Sequence, residues 1–110
     1  MYKNISNQEF KQKVSQDPKA AILDVRTERE CRDGIIRGAR CLDIMASDFE
    51  ASVRRLDKTR SYYIYCRSGN RSSVACRMMP DMGFKNLYNL EGGTLGWDGE
   101  LVGRSEVKAS

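Results

Sequence analysis

Between residues 66 and 72 the chain reads Cys66-Arg67-Ser68-Gly69-Asn70-Arg71-Ser72, and each residue type there favours a negatively charged sulfur. Gly69 permits positive φ, and Asn70 tolerates it better than most residues. A loop with that freedom can curl its backbone N–H groups around one atom and form an anion-binding nest. A helix starting near Arg71 aims the positive end of its dipole at the same point. Arg67 and Arg71 add two cations, and the hydroxyls of Ser68, Ser72 and Ser73 add donors. Such surroundings draw a thiol that ordinarily titrates near ~8.5 into the range of roughly 3.5–7.5 found for reactive cysteines. Cys66 is the candidate nucleophile. The chain has no histidine, which excludes Ser-His-Asp and Cys-His catalysis, so the loop itself must hold the thiolate.

The elements around the loop are legible. Tyr62-Tyr63-Ile64-Tyr65 is the strongest strand signal, all aromatic or β-branched, and it runs straight into Cys66. The helix that follows should place Ala75, Met79 and Met82 on one face, with Val74 and Met78 beside it, and stop at Gly83. Pro80 should cap or kink its last turn. Upstream, Ser6 and Glu9 form a capping box for a helix carrying Phe10 and Val14, stopped at Asp17-Pro18. Residues 20–25 read as a strand, Arg26 to Asp33 as a short helix with Thr27 as N-cap, and Arg40 to Ile44 as a short strand. A helix from Ala46 or Ser47 carries Phe49, Val53 and Leu56, and Asn86 to Leu90 reads as another strand. A glycine-rich turn then leads to Trp97, which should close the core, and residues 104–110 read as a tail after a domain spanning 1–103. Alternating strands and helices imply an α/β domain with a mostly parallel central sheet flanked by helices, and its site lies beyond the carboxyl ends of the strands.

Composition narrows the function classes. A chain of 110 residues is one domain. With 19 basic and 15 acidic residues the net charge is +4, which suits small anions but is not the concentrated basic footprint of a nucleic-acid binder. No apolar run is long enough to cross a membrane, and the polar N-terminus has no signal-peptide core, so the expected location is cytoplasmic. Cys31, Cys41, Cys66 and Cys76 include no C-x-x-C pair, so no metal site is expected, and in a cytoplasmic chain reduced thiols are the expectation. Cys31, Cys41 and Cys76 read as small buried hydrophobes. The basic stretch Arg54, Arg55, Lys58, Arg60 reads as a solvated helix end.

The segment Cys66 to Ser72 resembles the active-site loop of single-domain rhodaneses, the thiosulfate sulfurtransferases. Leu23-Asp24-Val25-Arg26 with Glu30, then Gly34-Ile35-Ile36-Arg37-Gly38-Ala39, then Met82 to Gly93 with Trp97, resemble three further blocks of that family in the right order. Ile35 stands where the family usually has histidine, and Cys31 where an aromatic is common. The resemblance implies a small α/β rhodanese-like domain, no metal or organic cofactor, and a Cys66 persulfide cradled by the loop residues Arg67, Ser68, Gly69, Asn70, Arg71 and Ser72. Asp24 and Arg26 would support the loop through hydrogen bonds. The expected substrates are a small anionic sulfur donor and a thiol, cyanide or protein acceptor, with no role for nucleic acid or membrane. Arg71 would recruit the donor or lock the loop by pairing with a carboxylate. A non-catalytic sulfur-relay or binding module serving a dedicated protein partner is the alternative from a different class. A phosphatase or arsenate reductase is disfavoured. Only four residues separate Cys66 from Arg71, a loop that is cramped for a phosphoryl group.

Overall fold

The computed structural model describes residues 1–104. The expected tail falls almost wholly on residues 105–110, outside the described residues; Arg104 is described and pairs with Glu28. Five strands form the central sheet: β1 (Lys3–Ile5), β2 (Ala20–Asp24), β4 (Ala39–Cys41), β5 (Ser61–Tyr65) and β6 (Asn86–Leu90). Their order is β1-β6-β5-β2-β4 and every pairing is parallel. All carboxyl ends therefore share one edge, with β5 at the centre, so Cys66 emerges mid-edge. A two-stranded antiparallel ribbon joins β3 (Ile35–Ile36) to β7 (Leu101–Val102). The sequence reading has no β1, β3 or β7. Each is two or three residues long and is made by its partner strand, not by its own periodicity.

The period-two alternation of β5 sorts the core into two halves. Tyr62, Ile64 and Cys66 face one side, with Leu23, Val25, Phe49, Val53, Ala75, Cys76 and Met79. Tyr63 and Tyr65 face the other, with Ile5, Phe10, Cys31, Ile35 and Leu90. The first side is covered by α3 (Phe49–Arg54) and α4 (Asn70–Met78), the second by α1 (Asn7–Gln16) and α2 (Glu28–Arg32). No helix among the described residues is long and apolar enough to cross a membrane.

Several local expectations meet a physical correction. The strand at 40–44 starts one residue earlier and ends at Cys41 as β4, opposite the last residue of β2, while Leu42 N and Ile44 N still donate to Asp24 O and Val25 O. Pro80 ends α4 at Met78, and the chain tightens into a 3₁₀ turn, Met79–Met82, closed by Gly83 at φ 99°. Val74 is exposed instead of joining the apolar face. Among the described residues only glycines take positive φ, so Asn70 does not use its tolerance and opens α4 in helical conformation. Trp97 is half-buried, edge-on to Phe10 at 5.4 Å, and covers the α1 side.

The largest correction concerns Cys31 and Cys41. They are bonded to each other, with Cα atoms 6.6 Å apart, where reduced thiols were expected. A separation of ten residues carries no proximity signal. The fold supplies it, since β4 pairs beside β2, with Asp24 opposite Cys41, and α2 returns over the same edge. Reducing this bond should cost about 2–3 kcal/mol, the chain entropy of a loop that short. Urea unfolding with and without a dithiol measures it, and an unchanged midpoint would count against the pairing.

Candidate active site

The loop after β5 is built around the Cys66 sulfur. Gly69 N–H donates to Sγ at 3.1 Å, and Ser72 supplies both its N–H and its hydroxyl at 3.4 Å. Gly69, at φ 100°, is the residue that lets the chain reverse so these donors converge. The positive end of α4 begins at the next residue. Burial alone would push the Cys66 thiol up. The Ser72 hydroxyl and N–H, with the N–H groups of Gly69 and Ser68, outweigh it and hold the thiol below its ordinary value. Cys66 is 0% exposed, whereas Arg67, Ser68 and Asn70 of the same loop are exposed.

Arg71 does not point its charge at solvent. Its guanidinium donates to both oxygens of Glu30, at 2.8 and 3.0 Å. Glu30 also closes the α2 capping box by accepting from Thr27 N–H. The Arg71 hydrogen bonds, opposed by burial and helped by Thr27, hold the Glu30 carboxyl at about 2, against an ordinary 4.5. A depressed carboxyl stabilises fully above its unfolded value and loses that contribution as pH falls through its folded value. Glu30→Gln should therefore cost about 1 kcal/mol near neutral pH, a bidentate but half-exposed pair. The deficit should shrink as pH drops from 4.5 toward 2. Urea midpoints of both proteins across that range test this, and a pH-independent gap would contradict it.

Asp24 and Arg26 are buried and satisfy each other. Arg26 Nη2 donates to Asp24 Oδ2 at 2.7 Å and to Gly34 O at 2.6 Å. They brace the turn into β3, with hydrogen bonds to each other and to Gly34 O, none of them to the loop at 67–72. Val25 N donates to Tyr65 O, tying the end of β2 to the strand that delivers Cys66. Arg67 is exposed, with no ion partner among the described residues. Cys76 lies on the buried face of α4, and burial pushes its thiol up to about 12, which makes it inert at neutral pH. The one cluster of potential metal donors, Asp24, Cys31 and Cys41, brings its atoms within 4.8 Å among the described residues. Both sulfurs are consumed by their mutual bond and the carboxylate is held by Arg26, so the arrangement offers an ion no free ligand.

Three contributors were missed by sequence reasoning. Glu30 was noticed only as part of a block, without its partner. Asn89, 3% exposed on β6, donates from Nδ2 to Asn4 Oδ1 at 2.9 Å and to Gly69 O at 3.4 Å, beneath the loop. Gly93 packs directly on the loop backbone, where Thr94 N–H and Leu95 N–H donate to Cys66 O and Arg67 O at 2.9 and 3.0 Å. The doublet Gly92-Gly93 after a strand was the available signal, since paired glycines there mark a close backbone approach.

A small parallel sheet whose central strand ends in this cysteine nest agrees with what the sequence comparison finds: the Rhodanese-like domain family matches residues 6–100. The chain belongs to the rhodanese-like domain family. A Bacillus subtilis relative, YtwF, provisionally named a sulfurtransferase, is 37% identical over 98 residues, covering 89% of this chain and 92% of its own length. A sulfurtransferase of Allochromatium vinosum is 31% identical, covering 88% and 89%. The crystal structure of a Staphylococcus aureus rhodanese-like domain protein superposes with a TM-score of 0.80 at 29% identity, covering 93% of this chain and 98% of that one. Within this rhodanese-like chain the departures now have places. Ile35 is buried in the second core half, and Cys31 occupies its position as half of a disulfide.

Proposed function

We propose that this chain is a sulfurtransferase working by double displacement through Cys66. The observation that carries this is the convergence of the Gly69 and Ser72 N–H groups and the Ser72 hydroxyl on one sulfur at the start of α4. The Cys66 thiolate attacks the outer sulfur of thiosulfate or another sulfane donor. The donor's S–S bond breaks and sulfite, or a thiolate, leaves with the bonding pair. Cys66 is left as a persulfide whose terminal sulfur carries the negative charge. An acceptor (cyanide or a thiol) then attacks that sulfur, and Cys66 leaves as thiolate, ready for another cycle.

Arg67, exposed and without an ion partner among the described residues, meets the anionic donor. Arg71 is committed to Glu30 and fixes the loop, which supports the locking role over donor recruitment. Residues 67–71 cradle the terminal sulfur. Donors already at 3.1–3.4 Å from Sγ leave a compact cradle, suited to one added sulfur and tight for a phosphoryl group with three equatorial oxygens. Intact-protein mass spectrometry after thiosulfate treatment should show a gain of one sulfur atom, removed by cyanide. No gain with thiosulfate or any other small sulfane donor would turn the reading to a relay module loaded only by a protein partner.

A further inference from the structure

The Cys31–Cys41 bond lies beside the residues that set the loop. Cys31 follows Glu30 directly in α2, and Cys41 ends β4, so the bond ties the clamp helix to the sheet. That tie matters because the Glu30–Arg71 pair is half-exposed, with side-chain exposures of 28% and 30%. Such a pair is weak unless its partners are held in place beforehand. The helix α2 has only five residues, too short to be stable by itself. The two sulfurs also differ. Cys31 is fully buried, whereas Cys41 is half-buried, with Sγ 3.6 Å from Arg26 O. An incoming thiolate therefore meets Cys41 first.

We propose that Cys31–Cys41 is a second thiol-reactive site, taking dithiol reductants, and that its oxidation state sets the reactivity of Cys66 through Glu30 and Arg71. The dithiol's first thiolate attacks Cys41 Sγ, the Cys31–Cys41 bond breaks, and Cys31 leaves as a thiolate and takes a proton. The second thiol attacks the mixed disulfide, closing an oxidised cyclic disulfide of the reductant and releasing Cys41 as thiol. Two electrons and two protons have moved to the protein. With the tie cut, α2 loosens, Glu30 no longer holds Arg71, and the cation leaves its fixed place near Cys66. The bridged form is the reactive one. Cys66 and Cys76 are free thiols and offer the dithiol no S–S bond to break.

This deepens the sulfur-transfer reading, but its readouts require no sulfur transfer, so the two can fail separately. Full-length protein, purified in air and cleared of sulfane sulfur with cyanide, should show two free thiols by alkylation in denaturant and intact mass, rising to four after dithiothreitol. With the reductant removed, Cys66 alkylation by iodoacetamide at neutral pH should be slower by at least about threefold in the four-thiol form. Reoxidation should restore it. The Cys31→Ser/Cys41→Ser double variant should alkylate at the slow rate whether or not it is treated. Glu30→Gln should still gain two thiols but lose the rate difference. Four thiols at the outset, equal alkylation rates in the two wild-type forms, or a rate response surviving in Glu30→Gln would overturn the proposal. The wild-type comparison needs no variant, so a folding defect in either mutant leaves it decisive.

Discussion

Cys66→Ser is expected to abolish sulfur loading and to lower turnover by on the order of 10⁴-fold or more, as loss of a covalent nucleophile does. The nest is the reason the loss should be this complete. Its N–H groups and the Ser72 hydroxyl favour an anion at this point and, against burial, hold the thiol below its ordinary value. A serine hydroxyl starts far above a thiol and stays protonated there, and oxygen does not store a sulfane sulfur. The fold should barely notice, because the new hydroxyl inherits donors already in place at 3.1–3.4 Å. Parallel mass spectrometry, turnover with thiosulfate and cyanide, and urea unfolding separate chemistry from stability. Turnover within tenfold of wild type would mean that Cys66 is not the sulfur-carrying residue.

Gly93→Ala should produce the second-largest effect without touching a reactive group. A Cβ at Gly93 would lie 2.3 Å from Cys66 O and 2.5 Å from Arg67 O, backbone atoms that cannot rotate away, and φ is +55°. The turn must retreat from the loop. It then strains or loses the Thr94 and Leu95 N–H bonds that hold the carbonyls of Cys66 and Arg67. Overpacking plus the loss of buried hydrogen bonds sums to about 2–4 kcal/mol. Sulfur loading should fall at least about tenfold, since the freed carbonyls let the nest N–H groups turn out of register. Gly96→Ala is the matched control. It lies three residues along the same turn, with nothing within 4 Å of its Cβ position, and should change stability by less than about 0.5 kcal/mol. Similar losses in both variants would show that the turn is generally intolerant and that the Gly93 contact is not special.

These expectations divide according to range. The nucleophile, its loop, the strand before it and the helix after it were readable in the chain because they are contiguous. The aromatic, β-branched run 62–65, the cysteine, the glycine and the helix start occupy seventeen consecutive residues, 62–78, and their chemistry is local. The α/β class was readable for the same reason, since alternating periodicities need no knowledge of what packs on what. The Thr27 N-cap was equally local, and it falls where the sequence placed it.

Only the tertiary structure decided the rest. Arg71 has many carboxylates to choose from in sequence, and Glu30 becomes its partner because parallel β2 and β5 lie side by side and deliver α2 and the loop to the same edge. Asp24 and Arg26 look alike as loop supports or as a surface turn until burial forces them onto each other and onto Gly34 O. Cys31 and Cys41 carry no pairing signal in their spacing, and the β2–β4 register with the return of α2 brings their Cα atoms to 6.6 Å. Local sequence determined which group reacts and what favours its charge. Long-range packing, which depends on surfaces far apart in the chain, determined which residues hold that group in place.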